Sequence, residues 1–212
     1  MIAIVDYGLG NLASVRNALL AIGAEARLTS DPDAVRSAAG VILPGVGAAR
    51  AGMQGLESRG LAGAVVDAAK AGTPLLGHCL GMQLLFDESE ENGGTPCLGV
   101  IGGKVRRFSG EMKIPHIGWN EVAVKNGNMW EGLPENPYFY FVHSYVCVPE
   151  EADVIAGTTE YGGNFCSAIV RDNVWGVQFH PERSGSAGLQ LMRNFACFCR
   201  SGTHPALEVN RK

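Results

Sequence analysis

The chain has little charge and no long apolar run. Only 18% of its 212 residues are charged, and the formal net charge is −4. A net negative chain lacks the basic surface with which proteins hold nucleic acids. No apolar run approaches the length of a membrane span, and Asp6 interrupts the N-terminal apolar residues, so we expect no signal peptide. The sequence therefore predicts a cytoplasmic protein with neither a nucleic acid nor a membrane as partner.

The cysteines form neither a disulfide pattern nor a metal-binding pattern. Six cysteines lie scattered, mostly within apolar runs, at positions 79, 97, 147, 166, 197 and 199. Cys197 and Cys199 do not have the spacing of a zinc knuckle. Scattered thiols are typical of a reducing compartment. We expect free cysteines, no metal and no cofactor.

The order of apolar and polar runs predicts the fold class. Up to about residue 92, short apolar strands alternate with helical patterns, and this order is typical of a parallel sheet covered on both faces by helices. Later runs alternate residue by residue between turn signals, such as Asn126-Gly127, and indicate antiparallel strands. We predict an α/β fold, a doubly wound and mostly parallel sheet with appended antiparallel strands. One domain spans residues 1–212, with the tail after about residue 202 loosely attached.

Several element boundaries follow from local signals. Asn11 is predicted to cap a first helix that Gly23 ends. Ser30-Asp-Pro-Asp33 is predicted to open a second helix, with proline tolerated in the first turn. Gly72 is predicted to end a helix near residues 61–71. The predicted strands are 2–5, 26–29, 41–43, 104–108, 121–124, 138–148, 154–156, 165–170 and 174–179, and the last helix covers about residues 187–199.

Cys79 lies between two glycines in the segment Thr73-Pro-Leu-Leu-Gly-His-Cys-Leu-Gly-Met-Gln-Leu-Leu-Phe86. Glycine two residues before and two residues after a nucleophile is what a sharp strand-to-helix turn requires, because side chains there would clash with neighbouring strands. Such a turn places the thiol at a helix N-terminus, which favours the thiolate. Taken alone, Cys79 would be interpreted as a buried core residue, so its function depends on two distant segments.

The first of these segments, Gly176-Val-Gln-Phe-His-Pro-Glu182, supplies a candidate base. Its alternation predicts a strand with Gln178 and His180 on one face. Side chains two apart in an extended chain share a face, so His180 and Glu182 are predicted to be in contact. A carboxylate there would fix the imidazole tautomer, as a catalytic triad requires. An exposed turn with a solvated glutamate fits this segment equally well.

The second segment, Val41-Ile-Leu-Pro-Gly-Val-Gly-Ala-Ala49, supplies candidate oxyanion donors. Gly45 and Gly47 free the backbone to turn N–H groups toward an anion, although an ordinary strand-to-loop turn also explains them. The geometry of the turn at Cys79 gives the same role to the N–H of Leu80. Together these segments supply a nucleophile, a base, an orienting acid and oxyanion donors, the set that thiol-based acyl transfer uses.

These motifs carry a resemblance to a known family. Gly77-His-Cys-Leu-Gly-Met-Gln83 and His180-Pro-Glu182 resemble the triad glutamine amidotransferases, to which the chain is similar as far as about Cys199. Five further segments resemble the glutaminase subunits of imidazole glycerol phosphate synthase, of histidine biosynthesis. They are Asp6-Tyr-Gly-Leu-Gly-Asn-Leu-Ala-Ser-Val15, Pro44-Gly-Val-Gly47, Pro115-His-Ile-Gly-Trp-Asn120, Phe141-Val-His-Ser-Tyr145 and Ala156-Gly-Thr-Thr-Glu-Tyr-Gly162.

The resemblance implies a flavodoxin-like class I glutamine amidotransferase that hydrolyses glutamine to glutamate and ammonia. Cys79 would attack the side-chain amide, His180 would transfer protons and Glu182 would orient His180. The N–H of Val46 would join that of Leu80 in holding the oxyanion. The residues implied to contact glutamine are Gly47, Gln83, His143, Ser144 and Tyr145; for His143 and Tyr145, packing within a strand fits as well.

The resemblance also implies a partner, because the chain offers no recognisable site for using ammonia. Free ammonia would be protonated in water, so a sheltered path to a docked subunit is required. The implied partner is a cyclase with a (β/α)8 barrel that forms imidazole glycerol phosphate and an aminoimidazole carboxamide ribotide. The predicted docking residues are Trp119, Asn120, Tyr140 and Arg183, because aromatic residues and arginine are common interface anchors; Trp119 also fits a core position.

His78 departs from the resemblance, since the residue before the nucleophile is usually aliphatic in this family. An imidazole there could perturb the thiolate, while the alternation of the strand would point it away from Cys79. We assign it no role from the sequence.

Other functions stay open at this point. Gly8-Leu-Gly-Asn-Leu-Ala13 fits the G-x-G-x-x-A dinucleotide fingerprint, with Glu25 or Asp31 as the ribose-binding acid, although any tight strand-to-helix turn favours glycine. The same triad could serve a cysteine peptidase or esterase, and the fold could be a binding module without activity. A synthase subunit forming anthranilate or pyridoxal phosphate is an alternative partner.

Overall fold

The first part of the chain alternates strands with helices, as predicted. The computed structural model describes residues 1–125 and 127–201, so the predicted loose tail and Asn126 lie outside the described residues. The elements up to the candidate nucleophile are β1 (Ile2–Val5), α1 (Leu12–Ala21), β2 (Ala26–Thr29), α2 (Pro32–Arg36), β3 (Gly40–Leu43), α3 (Ala49–Glu57), α4 (Leu61–Lys70), β4 (Leu75–His78) and α5 (Leu80–Leu84).

Most of the predicted helix signals have the expected geometry. Gly23 and Gly72 follow α1 and α4 with φ of 71° and 81°, a region in which only glycine is unstrained. The carboxylate of Asp31 caps α2 by accepting a hydrogen bond from the Asp33 N–H. Asn11 stands at the N-cap of α1, but its side chain makes no capping hydrogen bond, so that part of the prediction is wrong.

The later part of the chain is mainly strand and ends in one long helix. Its elements are β5 (Glu88–Ser89), β6 (Thr95–Pro96), β7 (Gly103–Arg107), β8 (His116–Glu121), β9 (Ala123–Val124), β10 (Tyr138–His143), β11 (Tyr145–Pro149), β12 (Ile155–Glu160), β13 (Asn164–Arg171), β14 (Val174–Val177) and α6 (Gly185–Ser201). Short 3₁₀ turns lie at Glu91–Gly93, Asn128–Trp130, Ala152–Val154 and Pro181–Arg183.

The large sheet has a parallel centre and antiparallel additions. Five strands in the order β2-β1-β3-β4-β14 are all parallel. Beyond β14, the strands β13, β11 and β7 pair antiparallel, and β12 joins both β13 and β9 antiparallel. This arrangement confirms the predicted fold class and places β4, which leads to Cys79, inside the sheet between β3 and β14.

A second sheet lies apart from the first. Strands β8 and β10 pair only with each other, antiparallel, with Trp119 opposite Tyr140. The predicted strands 121–124 and 138–148 are therefore both wrong in extent. The chain leaves the small sheet at Val122 and at Ser144, and then continues as β9 and β11 of the large sheet.

Helices cover both faces of the parallel strands. Val41 and Leu43 of β3 belong to the apolar cluster that includes residues of α3 and α4. Ile42, which points to the other face, belongs to the cluster with Leu19 of α1 and Phe195 of α6. Apolar residues at consecutive positions of one strand thus serve two cores, as burial on both faces requires. Within the described ranges, no helix has the length and apolar character that crossing a membrane would take.

Candidate active site

Cys79 stands on a strained turn between β4 and α5. Its φ of 50° and ψ of −107° are unusual for a residue with a side chain, and such strain is common at functional sites. A Cβ on Gly81 would lie 1.8 Å from the carbonyl oxygen of Leu43 in β3, so glycine is required there by a neighbouring strand, as predicted. A Cβ on Gly77 would instead lie 2.7 Å from the backbone nitrogen of Met82, within α5.

Buried glutamine side chains hold the thiol of Cys79. Its Sγ lies 3.7 Å from Nε2 of Gln178 and 3.9 Å from the carbonyl oxygen of Val142. Oε1 of Gln178 accepts a 3.0 Å hydrogen bond from Nε2 of Gln83, which also donates to the carbonyl oxygen of Tyr145 at 3.2 Å. The nucleophile is thus tied through two amides to the strand that follows Ser144.

His180 and Glu182 form the predicted contact, but the backbone between them is a helical turn and not the predicted extended strand. Strand β14 ends at Val177, and His180 directly precedes the 3₁₀ turn Pro181–Arg183. Nδ1 of His180 donates to Oε1 of Glu182 across 2.8 Å, and both side chains are almost wholly buried. Because a carboxylate only accepts, this bond fixes the hydrogen on Nδ1 and leaves Nε2 as the exchanging nitrogen. That Nε2 is buried and makes no hydrogen bond to any described residue.

The electrostatics favour an imidazolium paired with a carboxylate. Burial lowers the pKa of His180, but its interactions with Cys79 and Glu182 outweigh burial and raise that pKa to about 10. Burial likewise raises the pKa of Glu182, while the contacts with His180 and His78 hold it well below its usual range. A charged histidine beside a cysteine is what stabilises a reactive thiolate.

A cavity of about 360 Å³ opens beside Cys79 and brings together the predicted oxyanion and glutamine-contacting residues. Its lining consists of Val46, Gly47, Cys79, Leu80, Gln83, Glu91, Pro115, Val142, His143, Ser144 and Tyr145. Within the part of the chain that the structure describes, the N–H of Val46 has no hydrogen-bond acceptor. The N–H of Leu80, the first residue of α5, has no acceptor within its own helix. Neither N–H is therefore engaged by a described backbone acceptor, which is a condition for an oxyanion donor.

Glu91 is a cavity residue that the sequence reasoning missed. Its Oε2 accepts a 2.7 Å hydrogen bond from the N–H of Ala49 at the start of α3. Glu91 belongs to the acidic run 87–91, which in sequence cannot be distinguished from a solvated turn. Its spacing from the predicted triad gives no signal, and only the folded loop brings it to the cavity.

His143 lines the cavity, and His116 of the small sheet lies behind it. Nδ1 of His143 lies 2.8 Å from the carbonyl oxygen of Tyr145 and must donate to it, so Nε2 of His143 accepts from Nδ1 of His116 at 3.0 Å. Nε2 of His116 in turn accepts from Asn120 at 3.3 Å. Burial lowers the pKa of His116 to about 4 and that of His143 to about 3. Both rings therefore keep fixed tautomers at neutral pH.

Three of the four predicted docking residues are neighbours. The rings of Trp119 and Tyr140 meet edge to face at 6.3 Å, and the guanidinium carbon of Arg183 lies 4.4 Å from the centre of the Tyr140 ring. Trp119 is 56% exposed, which excludes the core position that its sequence allowed. Asn120 contacts His116 and the carbonyl of Glu160 instead, so the structure does not place its side chain with the other three.

The glycines of the dinucleotide-like segment serve a turn. Gly8 and Gly10 have φ of 90° and 114° in the connection between β1 and α1. Oδ1 of Asp6 accepts from the N–H of Gly8, and the Arg59 side chain lies over that glycine. A tight turn therefore accounts for the motif.

The described residues contain no group of three or more His, Cys, Asp or Glu side chains placed to hold a metal ion.

A cysteine elbow in a doubly wound sheet, with a buried His–Glu pair beside it, is the arrangement of enzymes that transfer acyl groups through a thiol. The family model described as "Glutamine amidotransferase class-I" matches residues 3–198, and the chain belongs to this family. Within it, the chain is 50% identical over 92% of its length to the imidazole glycerol phosphate synthase subunit HisH of Dehalococcoides mccartyi (strain CBDB1), covering 96% of that protein. It is 52% identical to the subunit of the same name from Thermococcus kodakarensis, with coverage of 92% and 98%.

Solved structures of lower identity share the fold. A crystal structure of a glutamine amidotransferase superposes with a TM-score of 0.75 at 21% identity, covering 94% of this chain and all of the other. The structure of PurLQS from Thermotoga maritima gives a TM-score of 0.74 at 18% identity, covering 93% and 97%. At these identities the comparison concerns the fold alone.

Proposed function

We propose that this chain hydrolyses glutamine to glutamate and ammonia and delivers the ammonia to a synthase subunit docked on it. The observation that carries the proposal is the buried His180–Glu182 pair, joined across 2.8 Å, whose electrostatic partner Cys79 stands on a strained elbow at the wall of a cavity. Nucleophile, base and orienting acid are the parts that acyl transfer through a thioester requires.

The chemistry follows from the positions of these groups. The thiolate of Cys79 attacks the side-chain amide carbon of glutamine, and the N–H groups of Leu80 and Val46 hold the oxyanion. His180 gives its Nε2 proton to the departing ammonia and then takes a proton from the water that hydrolyses the thioester. Glu182 keeps the Nδ1 hydrogen in place and stabilises the imidazolium.

The cavity lining contains one group for the α-ammonium end of glutamine and another for its side-chain amide. Glu91 is the carboxylate in its lining and complements the α-ammonium group of the substrate. Gln83, Gly47 and the segment from His143 to Tyr145 line the same cavity as Glu91 and Cys79. We propose that these residues orient the amide for attack, with the neutral ring of His143 holding the carbonyl of Tyr145.

The relatives carry the name of a synthase subunit, which supports a partner for this chain. We propose the cyclase subunit of imidazole glycerol phosphate synthase, with a (β/α)8 barrel, in a cytoplasmic heterodimer of histidine biosynthesis. Its docking surface would be the outer face of β8 and β10. That face carries Trp119 and Tyr140, and it adjoins the cavity through Val142.

The test separates glutamine hydrolysis from ammonia use. Cys79→Ala in the complex should abolish glutamine-dependent synthesis and leave synthesis from added ammonium salts intact, because the ammonia-using site lies on the other chain. Cys166→Ala is a matched control, since Cys166 is equally buried but does not line the cavity. Loss of both activities in Cys79→Ala would contradict this division of labour. Hydrolysis of peptides or esters with glutamine inert would point to a cysteine hydrolase.

A further inference from the structure

His78, the residue before the nucleophile, contacts the acid of the candidate triad. It ends strand β4 and is 1% exposed. Its Nδ1 lies 3.6 Å from Oε2 of Glu182, whose other oxygen accepts from His180 at 2.8 Å. One carboxylate is therefore flanked by two buried imidazoles, one on each oxygen.

The polar atoms of this contact have no other hydrogen-bond partner among the described residues. Neither ring nitrogen of His78 nor Oε2 of Glu182 makes a hydrogen bond to any of the described residues, and all three atoms are buried. Buried polar groups in proteins are nearly always satisfied. An imidazole N–H donates and a carboxylate oxygen accepts, so each group supplies what the other lacks. At 3.6 Å the interaction is electrostatic, and a small shift of either side chain would make it a hydrogen bond.

The contact between His78 and Glu182 affects how the carboxylate of Glu182 is held on His180 during proton transfer. His180 must serve first the departing ammonia and then the attacking water, and Glu182 has to stay on Nδ1 through both steps. A carboxylate held at one oxygen alone is free to rotate about its terminal torsion, which is soft. A second donor at Oε2 removes that freedom.

We infer that His78 is a positioning residue for this reaction: its Nδ1–H holds Oε2 of Glu182, so that Oε1 stays on His180. The inference rests on the proposed glutaminase activity. A purely packing role for His78 would depend on its volume, whereas the inferred role depends on a donor at the Nδ1 position and on the carboxylate of Glu182.

The experiment measures glutamate release by the complex for His78→Val and His78→Asn, each alone and combined with Glu182→Gln. His78→Val should lower kcat about tenfold, the low end for a hydrogen bond to a charged group, and leave KM within about twofold. His78→Asn places an amide N–H near the position of Nδ1 and should recover most of the loss. In the Glu182→Gln background, His78→Val should have almost no further effect, because the two changes remove one interaction.

Three results would overturn the inference. They are a His78→Val enzyme as active as the wild type, an equal loss in the Glu182→Gln background, and a loss that His78→Asn does not relieve. If His78→Val does not fold, as judged by circular dichroism, His78→Leu replaces it with a side chain closer in volume to imidazole. Wild-type and Cys79→Ala complexes are assayed alongside. Absence of Cys79-dependent glutamate release in the wild type would reject the proposed function itself, whereas its presence confines any failure to His78.

Discussion

His180 and Glu182 show how far residue spacing alone can predict a contact. Two-residue spacing correctly paired them, but the argument assumed an extended chain. Pro181 changes the backbone because its fixed φ suits the first position of a helical turn. The turn Pro181–Arg183 then brings the carboxylate back to Nδ1 of His180. The motif His-Pro-Glu therefore contains the signal for the observed geometry as well as for the pair.

The proposed triad should behave as a single unit. His180→Asn should lower kcat for glutamate release by at least about a thousandfold, because triad members that transfer protons are the costliest to remove. Glu182→Gln should cost less, since it orients His180 without transferring a proton. The double variant should be little worse than His180→Asn alone. Steady-state kcat values in the complex provide the measurement, and fully multiplicative losses would argue against one catalytic unit.

Sequence patterns did not predict the site residues whose roles depend on contacts formed only in the folded protein. Glu91 resembled part of a solvated acidic run, and Gln178 resembled an alternating strand residue. His116 lies in the segment Pro115–Asn120, whose pattern indicates family membership and no individual role for the histidine. Their neighbours in the structure, Ala49, Cys79 and His143, are between 27 and 99 residues away in sequence. No local pattern encodes contacts of that range.

At the scale of elements, the elbow depends on Gly81. A methyl group there would overlap the Leu43 carbonyl, a backbone atom that cannot rotate away. Gly81→Ala should therefore lower the free energy of unfolding by about 3 kcal/mol, the upper part of the range for overpacking. Activity should fall as well, because the elbow must shift.

Gly63→Ala is the matched control for this element. Gly63 is exposed inside α4, and a Cβ there would meet nothing within 4 Å. Alanine at an exposed helix position should raise the free energy of unfolding by up to about 1 kcal/mol. Urea denaturation of both variants gives the comparison. Equal stability for Gly81→Ala and the wild type would show that the elbow tolerates a side chain.

The loop after β3 is a candidate switch for the oxyanion hole. Tyr7 holds the carbonyl of Pro44 at 2.6 Å, and Gly45 is enclosed so closely that a Cβ would lie 2.2 Å from Tyr7 Oη. Val46 beyond it is exposed. With no side chain on Gly45, the peptide between Gly45 and Val46 can rotate, which would turn the Val46 N–H into or out of the oxyanion site.

This switch predicts slow glutamate release by the isolated chain and a large increase when the proposed cyclase subunit and its substrate are bound. One oxyanion donor contributes about 3–4 kcal/mol, roughly a hundred- to a thousandfold in rate. Val46→Pro lacks the N–H and should abolish most of the increase, while Val46→Ala keeps the N–H and should retain it. Steady-state assays with and without the liganded partner provide the test. Equal wild-type rates in both conditions would reject the switch and leave the proposed triad untouched.

At the scale of the whole molecule, the sequence was most informative where strands and helices alternate. Strands such as Ile2–Val5 are uniformly apolar, and the glycines and the Asp31 cap mark several helix ends, so the parallel half followed from local pattern. Helix α3 was missed because two glycines dilute its pattern. The run 138–148 contains no glycine or proline, and nothing in it reveals that Ser144 divides two sheets. Which sheet a strand joins is decided by distant partners.

Buried histidines should make stability depend on pH below neutrality. The pKa values of His116 and His143 fall from about 6.5 in the unfolded chain to about 4 and about 3 in the folded protein. Between pH 6.5 and 4 the unfolded chain therefore binds more protons, so the free energy of unfolding should decrease as the pH falls. Each histidine contributes a slope of up to about 1.4 kcal/mol per pH unit.

The opposite shift at His180 acts above neutrality. Its folded pKa of about 10 means that its stabilising contribution is complete below about pH 6.5 and is lost as the pH rises toward 10. Stability should therefore be greatest near neutral pH. Urea unfolding at pH 5, 7 and 9 tests this. His116→Gln should reduce the dependence of the free energy of unfolding on pH, between pH 5 and 7, by up to about 1.4 kcal/mol per pH unit, which corresponds to one proton. An unchanged slope would mean that His116 does not titrate on unfolding.

The division of one polypeptide run at Ser144 has a thermodynamic consequence. Strand β10 belongs to the small sheet with the exposed aromatic face, and β11 belongs to the large sheet. Ser144 between them lines the cavity together with its neighbours His143 and Tyr145. A partner that moves the small sheet changes the cavity, and a ligand in the cavity resists or favours the same movement. Such coupling is reciprocal: whatever factor the partner contributes to glutamine affinity, glutamine contributes to partner affinity. Assembly of the complex would then respond to the supply of its own nitrogen donor.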